Sequence, residues 1–187
     1  RKTFDSSISQ FFVNNTPTAK YIEHDRRSKE SMKNTSQQLH WIAVIDIDDF
    51  KRINDDFGHL YGDEILIHLS QIIRKNFRVD DLQFRFGGEE FVILLKSPSK
   101  EQIFKILNRF REEVANYDFP NVGQVTVSIG ATEFVKGIFH VTLIDYADQA
   151  LYYSKKKGKN CLTFFEDMLE SGASALSKIE GGEVDLF

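Results

Sequence analysis

The sequence predicts an α/β fold of the α+β kind, with a mainly antiparallel central sheet flanked by helices. Three observations predict it. Two apolar stretches, "LQFRF" and "FVILL", meet at Gly87 and Gly88, which places a hairpin in mid-chain. The strand-like and helix-like stretches follow one another as β-α-α-β-β-α-β-α-β. Helical stretches lie on both sides of the hairpin in sequence, so the sheet has partners to cover it. A chain of 187 residues is long enough to close one such core.

Taken in order, residues 1–12 space Phe4, Ile8 and Phe11 at helical intervals, and "NNTPT" interrupts that pattern. Residues 18–38 are polar, with little apolar periodicity; a solvated helix and a mobile loop both fit. "LHWIAVIDID" reads as a buried strand ending in carboxylates. A short amphipathic helix is expected over Phe50–Phe57, closed by Gly58. A longer one is expected over Asp63–Phe77, with Ile65, Leu66, Leu69, Ile72 and Ile73 on one face.

After the hairpin, Ser99 and Gln102 form a capping-box pattern, opening a helix that carries Ile103, Ile106, Leu107, Phe110 and Val114. "QVTVSIGAT" alternates as a strand, "LIDYADQALYYSKKK" is helical, and "NCLTFF" is a last short strand. The tail from Ser171 is rich in glycine, serine and acid, a frayed composition. The expected organisation is an N-terminal helix and polar lead-in over 1–38, a domain over 39–168, and a flexible tail over 169–187.

Composition bounds the function. Apolar residues make up 41% and charged residues 28%, the balance of a soluble globular chain. A formal charge of −4 exerts no global pull on nucleic acid or acidic membranes, so any polyanion is held by local charges. Cys161 is the single cysteine, which excludes an internal disulfide and fits a reducing cytosol. "WIAVI" and "FVILL" are too short to span a bilayer, so no direct membrane segment is expected.

Chemistry concentrates in two places. In "DIDDFKRINDDFGHLYGDE", Asp46 and Asp48 point the same way at a strand end. Carboxylates there suit Mg²⁺, which takes a few oxygens plus substrate phosphates; for Asp46 alone, a wet strand end explains as much. Asn54 and Asp63 carry the groups that read guanine, although Asn-Asp pairs more often cap or turn. The second place is "FRFGGEEFVILL". A hairpin needs the glycines but not Glu89 and Glu90, and crowded carboxylates are unfavourable without a cation. A divalent cation shared with Asp46 accounts for both features. Lys155 and Lys159 lie four apart, one helical face if the helix runs that far; complementing the helix dipole is the plainer role.

"RFGGEEF" resembles the signature of the GGDEF family, the bacterial diguanylate cyclases, in its GGEEF form. "DIDDFKRINDDFGHLYGDE", "VTVSIGAT" and "ADQALYYSKKKGKN" are similar to three further family motifs, in the family's order, from about residue 39 to 165. The resemblance implies a fold like the nucleotidyl cyclase domain and the polymerase palm. It implies condensation of two GTP into cyclic di-GMP with release of two pyrophosphates, in the cytoplasm, even where the full-length protein is membrane-attached.

By position, Asp46 and Glu90 would hold Mg²⁺, or Mn²⁺ in its place, with the Ile47 carbonyl assisting. Glu89 would be catalytic, as metal ligand or in deprotonating the 3′-hydroxyl. Asn54 and Asp63 would read guanine; Phe50 and Lys51 would lie along the phosphates, with Lys155 and Lys159 neutralising them. Gly88 would let the nucleotide approach the hairpin backbone. Each domain holds one GTP, so a homodimer is required for turnover. The start of the chain within a helix-like pattern predicts an upstream sensory portion.

"RVDD", with Arg78 and Asp81, is an ordinary turn when taken alone. Its offset from the hairpin resembles the family's inhibitory cyclic di-GMP site, with Arg109 as a further cation. There are departures from the family pattern. Its "D-x-L-T-G-L-x-N" lead-in is absent, Lys159 stands where arginine is usual, Ser154 replaces a common alanine, and the 18–38 stretch is longer than usual. The competing expectation is a non-enzymatic module that binds cyclic di-GMP or GTP; the intact Asp46, Glu89 and Glu90 favour the enzyme.

Overall fold

The middle of the molecule is β1, Leu39–Ile47, a strand apolar on both faces because both faces are covered. Trp41, Ala43, Ile45 and Ile47 face one core, while Ile42 and Val44 face the other. The computed structural model describes residues 39–172 except residue 136. The N-terminal helix expected over 1–12, the 18–38 stretch and most of the expected tail lie outside the described residues.

After β1 come α1 (Phe50–Phe57), α2 (His59–Asn76), β2 (Leu82–Gly87), β3 (Glu90–Ser97) and α3 (Lys100–Asn116). Then follow β4 (Asp118–Phe119), β5 (Gly123–Gln124), β6 (Val127–Glu133), α4 (His140–Lys156), β7 (Leu162–Phe164) and α5 (Phe165–Glu170). The main sheet runs β2-β3-β1-β6-β7. Every pairing in it is antiparallel except β6 with β7. The expected α+β architecture is therefore the observed one.

The larger core packs α2 and α3 on one face of the sheet through Ile65, Leu69, Ile73, Ile103, Leu107 and Phe110. The smaller core packs α4 on the opposite face through Leu143, Ala147 and Leu151. All five residues expected on the apolar face of α2 are buried. Ser99 caps α3, its side chain accepting from the Gln102 N–H.

Gly130 in β6 sets how closely α4 lies on the sheet. A Cβ there would stand 2.0 Å from the Ala147 carbonyl oxygen and 2.1 Å from the Leu151 nitrogen. Ser154, also on this face, donates to the Ile129 carbonyl at 2.9 Å and pairs with Thr163 Oγ1 at 2.7 Å. The serine in place of alanine thus has partners on β6 and β7.

Some boundaries differ from expectation. α2 begins at His59 rather than Asp63, because Gly58, at φ 94°, ends α1 and starts α2 without an intervening loop. α4 starts at His140, before the expected Leu143. The small β4–β5 hairpin and α5 were not expected; strands of two residues and a six-residue helix are too short to show a period. α4 ends at Lys156, so Lys155 and Lys159 do not share a helical face. Lys159 lies beyond it in the left-handed region, at φ 64°.

Candidate active site

The carboxyl end of β1 brings together part of the predicted site: Asp46, Glu90 and Lys155. Asp46 is directly opposite Glu90 on β3 and Ser128 on β6 in antiparallel register. It lies on the α4 face of the sheet and is buried. Lys155, in the last turn of α4, places its ammonium 2.7 Å from Asp46 Oδ1. This is ion-pair contact off the hydrogen-bond direction, since that buried oxygen has no aligned hydrogen-bond donor.

The electrostatics follow from burial. Loss of solvent pushes the Asp46 carboxyl up to about 6; Lys155 opposes the rise, and Glu89 and Glu90 add to it. Glu90 is also raised, first by burial, then by Asp148 and Glu89. Asp148, on α4, is raised by burial and by Asp145. The corner thus holds more negative charge than Lys155 offsets.

A divalent cation fits this donor set. The Asp46–Glu90 pair offers two carboxylates, one with an unaligned buried oxygen. Among the described residues no group of three histidine, cysteine, aspartate or glutamate side chains is arranged as a ready metal cage. One or two carboxylates completed by substrate phosphates is the Mg²⁺ pattern rather than that of a closed structural site.

The hairpin tip is built for approach. Gly87 pairs with Glu90, leaving Gly88 and Glu89 as the turn. Gly88 sits at φ 50°, and beyond the adjacent residues of the chain no heavy atom lies within 4 Å of where a Cβ would stand at either glycine. Arg85 clamps the tip: its Nε and Nη2 donate to the Gly88 carbonyl at 2.9 and 2.7 Å. Sequence reading missed Arg85, although an arginine three residues before a turn glycine on the same hairpin was a usable signal. It also passed over Asp148, two helical turns before Lys155.

Asp48 shares the face of Asp46 but has another task. Its carboxylate accepts from Thr126 Oγ1 at 2.7 Å, Ser128 Oγ at 2.6 Å and the Asn160 N–H at 2.9 Å. Those bonds tie the β1 end to β6 and to the loop after α4. Asp49 takes Lys159, whose Nζ donates to Asp49 Oδ1 at 2.7 Å and holds that carboxyl below its ordinary range. Phe50 is buried, so it presents backbone rather than ring at the start of α1, beside exposed Lys51. Asn54 is half-buried on α1, and Asp63 is exposed in the first turns of α2. Asp63 lines an open groove of about 500 Å³ with Leu66, Ser70, Arg74 and Arg85.

Arg78 and Asp81 form a reciprocal turn. The Arg78 N–H donates to Asp81 Oδ2 at 2.9 Å, and the Asp81 N–H to the Arg78 carbonyl at 3.1 Å. Arg109 donates through Nη2 to the Asn76 carbonyl at 3.0 Å, closing the end of α2 just before Arg78. The three residues therefore lie at one corner, near Lys96 at the end of β3 far from Glu90.

Comparison with known proteins agrees with this geometry. The family model described as "Diguanylate cyclase, GGDEF domain" matches residues 20–161. Diguanylate cyclase DgcP of Pseudomonas aeruginosa is 44% identical over 124 residues, covering 65% of this chain and 18% of that protein. Diguanylate cyclase A of Treponema denticola is 36% identical over 133 residues, covering 68% and 36%. This chain therefore spans only a minor part of the curated relatives' length.

Among solved structures, the GGDEF domain of DgcB from Caulobacter crescentus, in complex with c-di-GMP, aligns with a TM-score of 0.65 at 31% identity over 69% of this chain and 79% of that one. The active GGEEF domain of a diguanylate cyclase from Vibrio cholerae gives 0.62 at 32% identity over 68% and 83%. The sheet order, the glycine hairpin and the family match lead to one assignment: this chain belongs to the GGDEF-domain family of diguanylate cyclases.

Proposed function

We propose that this domain catalyses condensation of two GTP into cyclic di-GMP with release of two pyrophosphates. The observation that carries the reading is the register pairing of Asp46 with Glu90, beside Lys155 and one turn from the glycine tip. Asp46, Glu90 and the Ile47 carbonyl would hold Mg²⁺, for which Mn²⁺ can substitute. Bound there, the cation supplies charge for the α-phosphoryl oxygens and acidity for the 3′-hydroxyl.

The chain's own residues do the rest. Asn54 and Asp63 recognise guanine, the carboxylate accepting from N1–H and the 2-amino group. The start of α1 offers the Phe50 and Lys51 N–H groups to the phosphates. Lys155 and Lys159, both within reach of aspartates at this corner, neutralise phosphate charge. Glu89, beside the open Gly88 backbone, accepts the 3′-hydroxyl proton as that oxygen attacks the other nucleotide's α-phosphorus. Arg85 keeps the tip in place during this step.

Each domain holds one nucleotide, so two domains face each other, and proximity supplies much of the rate. Turnover per domain then rises with protein concentration until the dimer is saturated. Product feedback belongs to the same reading: cyclic di-GMP docks at Arg78, Asp81 and Arg109. The Asp81 turn presents Arg78 outward, which supports that role. A cytoplasmic setting, where GTP is available, completes the proposal. Incubation with GTP and Mg²⁺, followed by assay of pyrophosphate and cyclic di-GMP, tests it. Nucleotide binding without either product would leave a binding module instead.

A further inference from the structure

Gly62 stands in the first turn of α2, facing α1. A Cβ built there would lie 2.0 Å from Asn54 Oδ1, 3.0 Å from Asn54 Cγ and 3.2 Å from Phe50 Cζ. The three nearest atoms are all side-chain atoms, and the closest is the free end of the Asn54 amide. The amide therefore rests on the bare Cα of Gly62, immediately beside Asp63. No hydrogen bond to protein directs the Asn54 side chain among the described residues; packing against Gly62 and Phe50 sets its direction. Alanine is the better helix former, and Gly62 does not lie in the left-handed region. Backbone conformation gives no reason for glycine at this position, whereas the Asn54 amide does.

We infer that Gly62 is a positioning residue for base recognition: its missing side chain seats the Asn54 amide next to Asp63, so that the two address one guanine. The inference rests on the guanine-reading role given to Asn54 and Asp63 above. An added methyl at position 62 meets no backbone: its hard clash is with the flexible Asn54 end at 2.0 Å, and the Phe50 ring at 3.2 Å need give only a few tenths of an ångström. The methyl therefore swings the amide away and leaves α1 and α2 in place. The consequence falls on recognition, not on folding.

The test is titration of GTP and ATP against wild type, Gly62→Ala, Asn54→Ala and the double variant, with melting temperatures recorded for each. Gly62→Ala is expected to weaken GTP binding about tenfold, as one lost hydrogen bond to the base would. ATP binding stays unchanged, and the melting temperature is no lower than wild type. In the Asn54→Ala background the same substitution costs nothing further, because the group it acts through is gone. Undiminished GTP binding by Gly62→Ala overturns the inference. So does equal weakening of GTP and ATP with a lower melting temperature, or a double variant whose losses add. If Asn54→Ala itself leaves GTP binding intact while wild type prefers GTP, the role given to Asn54 fails, and the inference with it. If wild type shows no preference for GTP over ATP, the whole guanine assignment fails.

Discussion

Lys155 Nζ lies 2.7 Å from Asp46 Oδ1, joining the last turn of α4 to the end of the central strand. The lysine neutralises a carboxylate that burial has raised to about 6. Removing that carboxylate separates chemistry from stability. Asp46→Asn and Glu90→Gln are each expected to abolish cyclic di-GMP formation while circular dichroism stays native. Near-normal Mg²⁺-dependent activity in either variant would remove that residue from the metal site.

The same group fixes the sign of a pH effect. The folded pKa of Asp46 lies above its unfolded value, so the native state holds the proton more tightly. Its contribution to stability is therefore lost as pH rises from about 4 to about 6. Asp46→Asn should be more stable than wild type at pH 7, by at most about 3 kcal/mol, less whatever the unpaired Lys155 costs. The gap should close below about pH 4. Divalent-cation affinity of the wild type should fall as pH drops through about 6, as the proton competes with the cation for the Asp46 carboxylate. Thermal melts across that range, with a cation titration at each pH, check both signs.

Base choice gives a third expectation. With Asn54 and Asp63 on facing turns of α1 and α2, GTP should be strongly preferred over ATP, because unpaired polar groups in the site reject the wrong base. Asp63→Ala should erase most of that preference. Equal binding of the two nucleotides by wild type would sink the assignment.

Arg78→Ala should relieve product inhibition without weakening GTP binding. The substitution keeps the backbone N–H that Asp81 accepts, so the turn survives and only the guanidinium is lost. Inhibition in the wild type should be noncompetitive with GTP. Direct cyclic di-GMP titration decides: unchanged product affinity in Arg78→Ala would count against the site.

Two substitutions probe the scaffold. Gly130→Ala forces a methyl against the α4 backbone and should cost about 3 kcal/mol or more, since the helix must lift off the sheet. Asp48→Ala strands Ser128 Oγ, which is fully buried, together with Thr126 and the Asn160 N–H, and should cost about 2–4 kcal/mol. Denaturant melts measure both. A loss under about 0.5 kcal/mol in either case would contradict the packing described, because that is the range of ordinary surface changes.

Local order in the sequence determined much of this protein. The continuous apolar run at "WIAVI", the helical spacing of Ile65, Leu69 and Ile73, and the Ser99 cap each act within a few residues, so each is legible without the fold. The glycine hairpin and its acids were legible for the same reason. Tertiary structure alone decided which distant groups meet. Lys155 reaches Asp46 while Lys159 turns to Asp49, Asp48 is taken up by β6, and Asn54 rests on Gly62; for Asp46 and Glu90, whose meeting the sequence already suggested, the fold supplied the register. These contacts depend on strand register and helix packing between segments far apart in the chain. A side-chain period records which face a residue takes, but not what stands opposite it.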